Sequence, residues 1–229
     1  VGLMVEWLLE QRYSVELVRP RQAREPVRTP HTGLTEVLTA GVRIPGYPQL
    51  QLGLPAFLRL RRHWSALRPD FVHIVTEGPL GWAAVAAAHA LKIPLTSDFH
   101  TNFHRYAEHY GAALVGRSIA AYLRWLHNRT ACTVVPTQEM KQELDNLGFE
   151  RVLLAGRGVD SKLFHPAARS RGLRRQWGCG DDELVVLSVG RLAPEKALDE
   201  FAATARNLRF GNGTMRIVIV GDGPLRRRR

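Results

Sequence analysis

Lysine is almost missing from this 229-residue sequence. Lys92, Lys141, Lys162 and Lys196 are the only ones, so 28 of the 32 basic residues are arginine. Against 21 acidic residues the formal charge is +11. Such an arginine bias partly follows codon composition, so the charge alone is weak evidence for a nucleic-acid partner. Cysteine is just as scarce. Cys132 and Cys179 are 47 positions apart, with neither CxxC nor Cys–His spacing. A structural zinc is excluded, a disulfide framework is disfavoured, and the compartment reads as reducing. Cys132 stands in an apolar run and is expected to be a small buried hydrophobe. Long hydrophobic runs are absent too. The longest, Leu80 to Leu91, has 12 residues and carries His89, too few to span a bilayer.

Several motifs are also lacking. With no Gly-Lys pair there is no Walker A loop, and no GxGxxG, GxSxG or HExxH occurs. The chain opens on Val1, and VGLMVEWLLEQR reads as an amphipathic helix without the features of a signal peptide. The expectation is that the chain begins inside a longer reading frame. At 45% hydrophobic and 23% charged residues it is globular, neither disordered nor coiled coil.

What is present is an alternation of short apolar strands and helices. Ser14–Val18 reads as a strand, followed by a proline- and arginine-rich loop to Gly33. An extended segment, Glu36–Ile44, is closed by a turn at Pro45–Pro48. Further along the chain come a helix Pro55–Leu67, a strand Phe71–Val75, a helix to Leu91 and a strand Leu95–Phe99. A long helical region covers Phe103–Asn128. Strand Ala131–Val135, helix Gln138–Leu147 and strand Val152–Ala155 complete the first series. The segment SKLFHPAARS then reads as a linker. A second series holds strand Leu184–Val189, helix Lys196–Leu208 and strand Met215–Val220. The pattern implies an α/β fold, a parallel sheet with helices on both faces. Two domains are expected, 1–165 and 166–229. The second, with two strands, reads as the stump of a larger domain.

In such sheets ligands bind beyond the carboxyl ends of the strands. After Leu184–Val189 comes GRLAPEK, in which Gly190 permits a turn and Arg191 and Lys196 can flank a phosphate at a helix start. The spacing equally suits two surface bases and a turn. After Leu95–Phe99 stands His100, placed to meet a ligand hydroxyl. His100, His104 and Glu108 have one-turn spacing, but an ordinary hydrogen-bonded histidine is the better reading than a metal site. Glu77, after Phe71–Val75, either accepts from a hydroxyl-rich ligand or caps a helix. Gly156-Arg157-Gly158-Val159-Asp160 is, alone, a glycine loop.

The ordered set FHTNF, VVPT, GRGVDSKLFHP, SVGRLAPEK and VGDGPL resembles the retaining glycosyltransferases of family 4, with the GT-B fold. Bacterial α-mannosyltransferases acting on lipid acceptors are the subgroup it is most similar to, and sulfoquinovosyl- and glucosyl-type transferases are its neighbours. The resemblance covers essentially the whole chain. It implies that Arg191 and Lys196, with Gly190, hold the donor diphosphate and that His100 reaches the transferred sugar. Gly221 to Pro224, including Gly223, match a loop near the nucleotide. Glu77, Gly158 and Asp160 become cleft-lining candidates between an amino-terminal acceptor-side domain and a carboxyl-terminal nucleotide-sugar domain.

The same resemblance implies transfer of a hexose, with mannose favoured, from a GDP- or UDP-linked donor to a lipid or glycan acceptor. It implies no cofactor and no metal in the site, because the basic pair stands in for the metal. The opening strand with its glycine-rich loop, and a pair of glutamates eight apart, are absent from the sequence. The expectation is therefore an incomplete and inactive fragment. The competing reading is a basic nucleic-acid-binding module resting on the arginines of 19–28, 59–68 and 226–229. No RNP, helix-turn-helix or finger pattern supports it, and no nucleic-acid partner is expected. The helix Pro55–Leu67 is expected to bury Leu58, Trp64 and Leu67. Its Arg59, Arg61 and Arg62 form a basic rim that suits an anionic membrane and equally an ordinary solvated face over a buried stripe. A cytoplasmic protein, peripheral on the inner face of the plasma membrane, is the expected setting.

Overall fold

The computed structural model describes residues 2–22, 32–44, 47–99, 113–156, 158–207 and 215–227. They form two compact units, Val1–Arg157 and Gly158–Arg229. The division falls upstream of the expected limit at 165/166. A Cβ at Gly156 or at Gly158, on either side of the division, would meet open space.

In the first unit, α1 (Gly2–Glu10) leads into β1 (Val15–Pro20), which pairs in parallel with β2 (Leu34–Thr39). The expected single segment Glu36–Ile44 is instead broken at Ala40. β3 (Gly41–Ile44) turns away from β1 to pair antiparallel with β4 (Tyr47–Gly53), where a plain turn was expected. Gly41 passes close to Pro20, where a Cβ would lie 2.9 Å from that of the proline, so only glycine fits at the start of β3. α2 (Phe57–Ala66) and α3 (Pro79–Ala90) pack together beside β5 (Val72–Ile74). A four-stranded parallel sheet follows in the order β5-β6-β7-β8, with β6 Leu95–Asp98, β7 Thr133–Val135 and β8 Val152–Leu154. α4 (Ala113–His127) and α5 (Gln138–Asn146) lie between these strands in the chain. The earlier part of the expected helical region 103–128, up to residue 112, lies outside the described residues.

Each element has a local cause. Pro79 sits in the first turn of α3 behind an extended Gly78, a position where its missing N–H costs nothing. α3 is apolar nearly all round, and Ala83, Val85, Ala87 and Ala88 are buried, as a core helix requires. The Thr137 hydroxyl accepts from Met140 N and starts α5. In α2 the buried residues are Leu60 and Trp64, one turn apart, while Leu58 and Leu67 are 74% and 67% exposed. The expected stripe of Leu58, Trp64 and Leu67 is therefore corrected: residues 60 and 64 share a helical face and 58 falls off it.

Two cores result. One joins Leu60, Trp64, Ile74, Val85, Leu95 and Leu126, and the other Phe99, Leu123, Val135, Leu144, Phe149 and Val152. Cys179, not Cys132, is the buried cysteine; Cys132 is half-buried. No helix among the described residues is long and apolar enough to cross a membrane.

The second unit has less to bury. The expected linker contains a 3-10 turn, Pro166–Ala168, and is followed by a short helix, α6 (Arg171–Gln176), which the Ser170 hydroxyl caps by accepting from Leu173 N. β9 (Leu184–Val189) and β10 (Met215–Val220) pair in parallel, joined through α7 (Leu198–Asn207). Ala193 and Ala205 are buried, whereas Leu187, Val189, Ile219 and Val220 are exposed.

Candidate functional site

The strand ends of the second unit are tied to each other. Beyond β9 and β10, Gly190 N donates to Val220 O at 3.0 Å and Leu192 N to Asp222 O at 2.9 Å. Leu225 N donates to Leu192 O at 3.1 Å. This approach requires glycine at two places. A Cβ on Gly221 would fall 1.8 Å from the Gly190 carbonyl oxygen, and one on Gly223 would fall 2.3 Å from that of Leu192. Gly190 itself faces open space. The steric demand thus rests on Gly221 and Gly223, whereas the sequence pattern drew attention to Gly190.

Arg191 and Lys196 are both exposed on this latched loop, on either side of the buried Ala193. Lys196 is not in the helix. It closes a 3-10 turn, Pro194–Lys196, and the left-handed Ala197 (φ 46°) separates it from α7. The expected helix start at Lys196 is corrected to Leu198. The first turn of α7 carries Asp199 and Glu200, which already meet the positive helix end. Any anion here would depend on the two side-chain cations and the loop amides more than on the helix. Gly158 is exposed and open. Asp160 is exposed, and its Oδ1 accepts from the amides of Lys162 and Leu163 at 2.9 and 3.0 Å, shaping its own turn.

In the first unit Glu77 is 5% exposed, held at the carboxyl end of β5. Its backbone carbonyl accepts from Tyr122 OH at 2.7 Å. The turn before it is pressed against α3, since a Cβ on Gly81 would lie 2.0 Å from Thr76 O. Its Oε1 faces His127 Nε2 at 3.6 Å. Burial, and secondarily the Glu77 charge, pushes the Tyr122 phenol above its ordinary pKa. His100 lies outside the described residues. The preceding Phe99 is 1% exposed, and its amide donates to Val134 O, which fixes where the chain leaves β6.

Sequence reasoning missed the polar cluster behind Glu77. His127, Ser97, Thr130 and Thr133 are all buried. Ser97 Oγ lies 2.8 Å from His127 Nδ1, 3.1 Å from Thr130 Oγ1 and 3.2 Å from Thr133 Oγ1. Phe99 and Phe149 flank the imidazole. The order Ser–His–Glu has the outline of a hydrolytic triad, but Ser97 is 0% exposed and cannot meet a substrate, so it is no nucleophile. The only signal in the sequence was a lone histidine ending an apolar helix. Among the described residues no group of three or more His, Cys, Asp or Glu is arranged to hold a metal.

A predominantly basic groove of about 730 Å³ lies between α2 and β2, lined by Arg21, Arg59, Arg62 and His63 with Glu36, Leu58 and Val37.

With this geometry in place, the comparisons with known proteins agree. Residues 1–163 match Glycosyltransferase Family 4, and the chain belongs to that family. It is 35% identical over 206 residues to a GDP-mannose-dependent alpha-mannosyltransferase of Mycobacterium tuberculosis, covering 86% of this chain and 53% of that protein. It is 32% identical to the enzyme of the same description from Mycolicibacterium smegmatis, covering 96% of this chain and 57% of that one. A sulfoquinovosyl transferase of Arabidopsis thaliana is 28% identical, with 86% and 40% covered. The chain thus spans about half the length of the curated relatives it matches. Among solved structures, sucrose-phosphate synthase from Thermosynechococcus elongatus superposes with a TM-score of 0.68 at 16% identity, over 98% of this chain and 57% of that one. The fold is GT-B.

Proposed function

We propose that this chain serves the transfer of a mannosyl residue, with retained configuration, from GDP-mannose to a lipid acceptor. One observation carries the reading: Arg191 and Lys196 stand on a loop fixed by backbone hydrogen bonds at the carboxyl ends of β9 and β10. Two cations held in this way suit a diphosphate that gains charge as its bond to the sugar breaks. Gly221 and Gly223 shape the loop, and in this reading the cations meet the charge without a resident metal. His100, beyond the end of β6, is the catalytic residue of the proposal, acting on the transferred sugar. The names of the curated relatives favour GDP-mannose over a uridine-linked donor.

The basic groove on α2 supplies the second part of the proposal, peripheral contact with an anionic membrane that carries the acceptor. Arg59 and Arg62 beside an exposed Leu58 combine charge attraction with an apolar contact. Vesicle sedimentation tests it, and equal binding to neutral and anionic vesicles would remove the membrane from the account.

The donor is tested by isothermal titration with GDP, UDP and GDP-mannose. Preference for GDP and GDP-mannose is expected. Preference for UDP would move the reading to a glucosyl or sulfoquinovosyl donor, and no binding of any would overturn it. His100→Ala should leave GDP affinity unchanged and lower kcat in an active form.

A further inference from the structure

Among the described residues, His127 and Glu77 form a pair of buried polar groups that have only each other on the facing side. The imidazole is 0% and the carboxylate 5% exposed, and Nε2 and Oε1 are without a hydrogen-bond partner at their separation of 3.6 Å. Which ring nitrogen carries the proton is set by what each one faces: hydroxyls at Nδ1 and a carboxylate at Nε2. Thr130 Oγ1 donates to a backbone carbonyl, that of His127 at 2.7 Å or Cys132 at 3.0 Å. Ser97 Oγ at 2.8 Å and Thr133 Oγ1 at 3.3 Å are then both placed to donate to Nδ1. A neutral imidazole accepting at Nδ1 carries its hydrogen on Nε2. The other tautomer would turn a bare nitrogen lone pair toward a carboxylate oxygen in a site closed to water, which is two acceptors face to face.

We infer that His127 is a positioning residue: its Nε2–H is aimed at Glu77 Oε1 and orients the carboxylate, leaving Oε2 to accept from a sugar hydroxyl at the carboxyl end of β5. Three restraints meet at Glu77, namely Tyr122 OH on its carbonyl, Gly81 against the preceding turn, and His127 on its side chain. Parallel strands present ligand-binding groups at this end, and a carboxylate held there is a hydroxyl acceptor of fixed direction. The ligand class, a sugar, rests on the glycosyltransferase reading; the proton assignment does not.

Two measurements on the 229-residue chain separate these parts. Long-range proton–nitrogen NMR of the histidines should show Nε2 of His127 protonated and Nδ1 pyridine-like. Ser97→Ala should shift Nδ1 most, and Glu77→Gln should shift Nε2 most. Protonation on Nδ1 alone would overturn the positioning role. Titration with methyl α-D-mannopyranoside should then move the His127 Nε2 resonance. In His127→Ala the sugar's dissociation constant should rise about tenfold, and His127→Gln, which keeps an N–H donor, should recover part of the loss. No response of His127 to the sugar, or equal affinity in His127→Ala, would overturn the ligand role. The GDP titration stands apart from both. A protein that binds GDP but shows no sugar response refutes this inference alone, and one that binds no nucleotide refutes the glycosyltransferase reading alone.

Discussion

The indole of Trp64 donates to Glu16 Oε1 at 3.0 Å while the other carboxylate oxygen lies 2.6 Å from His63 Nε2, so one acid on β1 holds two successive residues of α2. Trp64 is 3% exposed, and its N–H has no water to turn to. Glu16→Ala should therefore cost about 1–3 kcal/mol, the cost of a buried donor left unmade. Glu16→Gln, which keeps an acceptor, should cost less. Urea unfolding followed by tryptophan fluorescence reads the difference. Equal stability of all three proteins would show that the contact is incidental.

Tyr122 gives the expected response to alkali. Its phenol is raised above the ordinary 10.0 by burial first and by Glu77 second. The folded chain thus holds that proton more tightly than the unfolded chain does. Its contribution is complete below pH 10 and is lost as the pH climbs through the raised folded value. Subtracting the ultraviolet titration of Tyr122→Phe from that of the parent should isolate one phenol ionising later than an exposed tyrosine. A difference curve centred at or below 10 would contradict the burial argument.

Glycine positions in the second unit should differ sharply in tolerance. Gly221→Ala and Gly223→Ala force a methyl group into backbone atoms of the β9 loop. Each should destabilise by roughly 3 kcal/mol and abolish GDP binding. Gly190→Ala has open space and should cost under about 1 kcal/mol. Thermal melts and GDP titration check both halves, and a fragile Gly190→Ala beside a robust Gly221→Ala would reverse the assignment.

Arg191→Ala and Lys196→Ala should weaken GDP by about 1.5–3 kcal/mol each, the range for a hydrogen bond to a charged group. Lys196 is exposed, so in Lys196→Ala the melting temperature without ligand should hardly move. Calorimetric titration at two salt concentrations is the check, and the loss should shrink at high salt. Unchanged affinity in both would leave them as surface bases.

Much of the fold was legible because short apolar strands bounded by Gly and Pro leave a local record, as at Leu184–Val189 and Gly78-Pro79. The β3–β4 hairpin was not, since the close approach that needs glycine at position 41 is to Pro20, a residue remote in sequence. α6 was missed for lack of an apolar stripe; Ser170 alone starts it. Arg191 and Lys196 could be read as a pair because they flank one turn after one strand. His127 could not, because Ser97, Thr133 and Glu77 come from three separate segments that only packing gathers. The α2 face went wrong by two positions: Leu58 and Leu60 are equally apolar, and only packing, which takes Leu60 into the core with α3 and leaves Leu58 exposed, distinguishes them.

The latch between the loops after β9 and β10 also limits how this part of the protein can be recombined. Leu192 gives its amide to Asp222 and takes the amide of Leu225, so residues 190–196 and 221–225 are two stretches of chain but one surface. A donor loop taken from a relative would arrive without its counterpart and meet a mismatched backbone. An exchange of nucleotide preference by chimera must move both stretches together, although α7 and the rest of the connection between them can remain as they are.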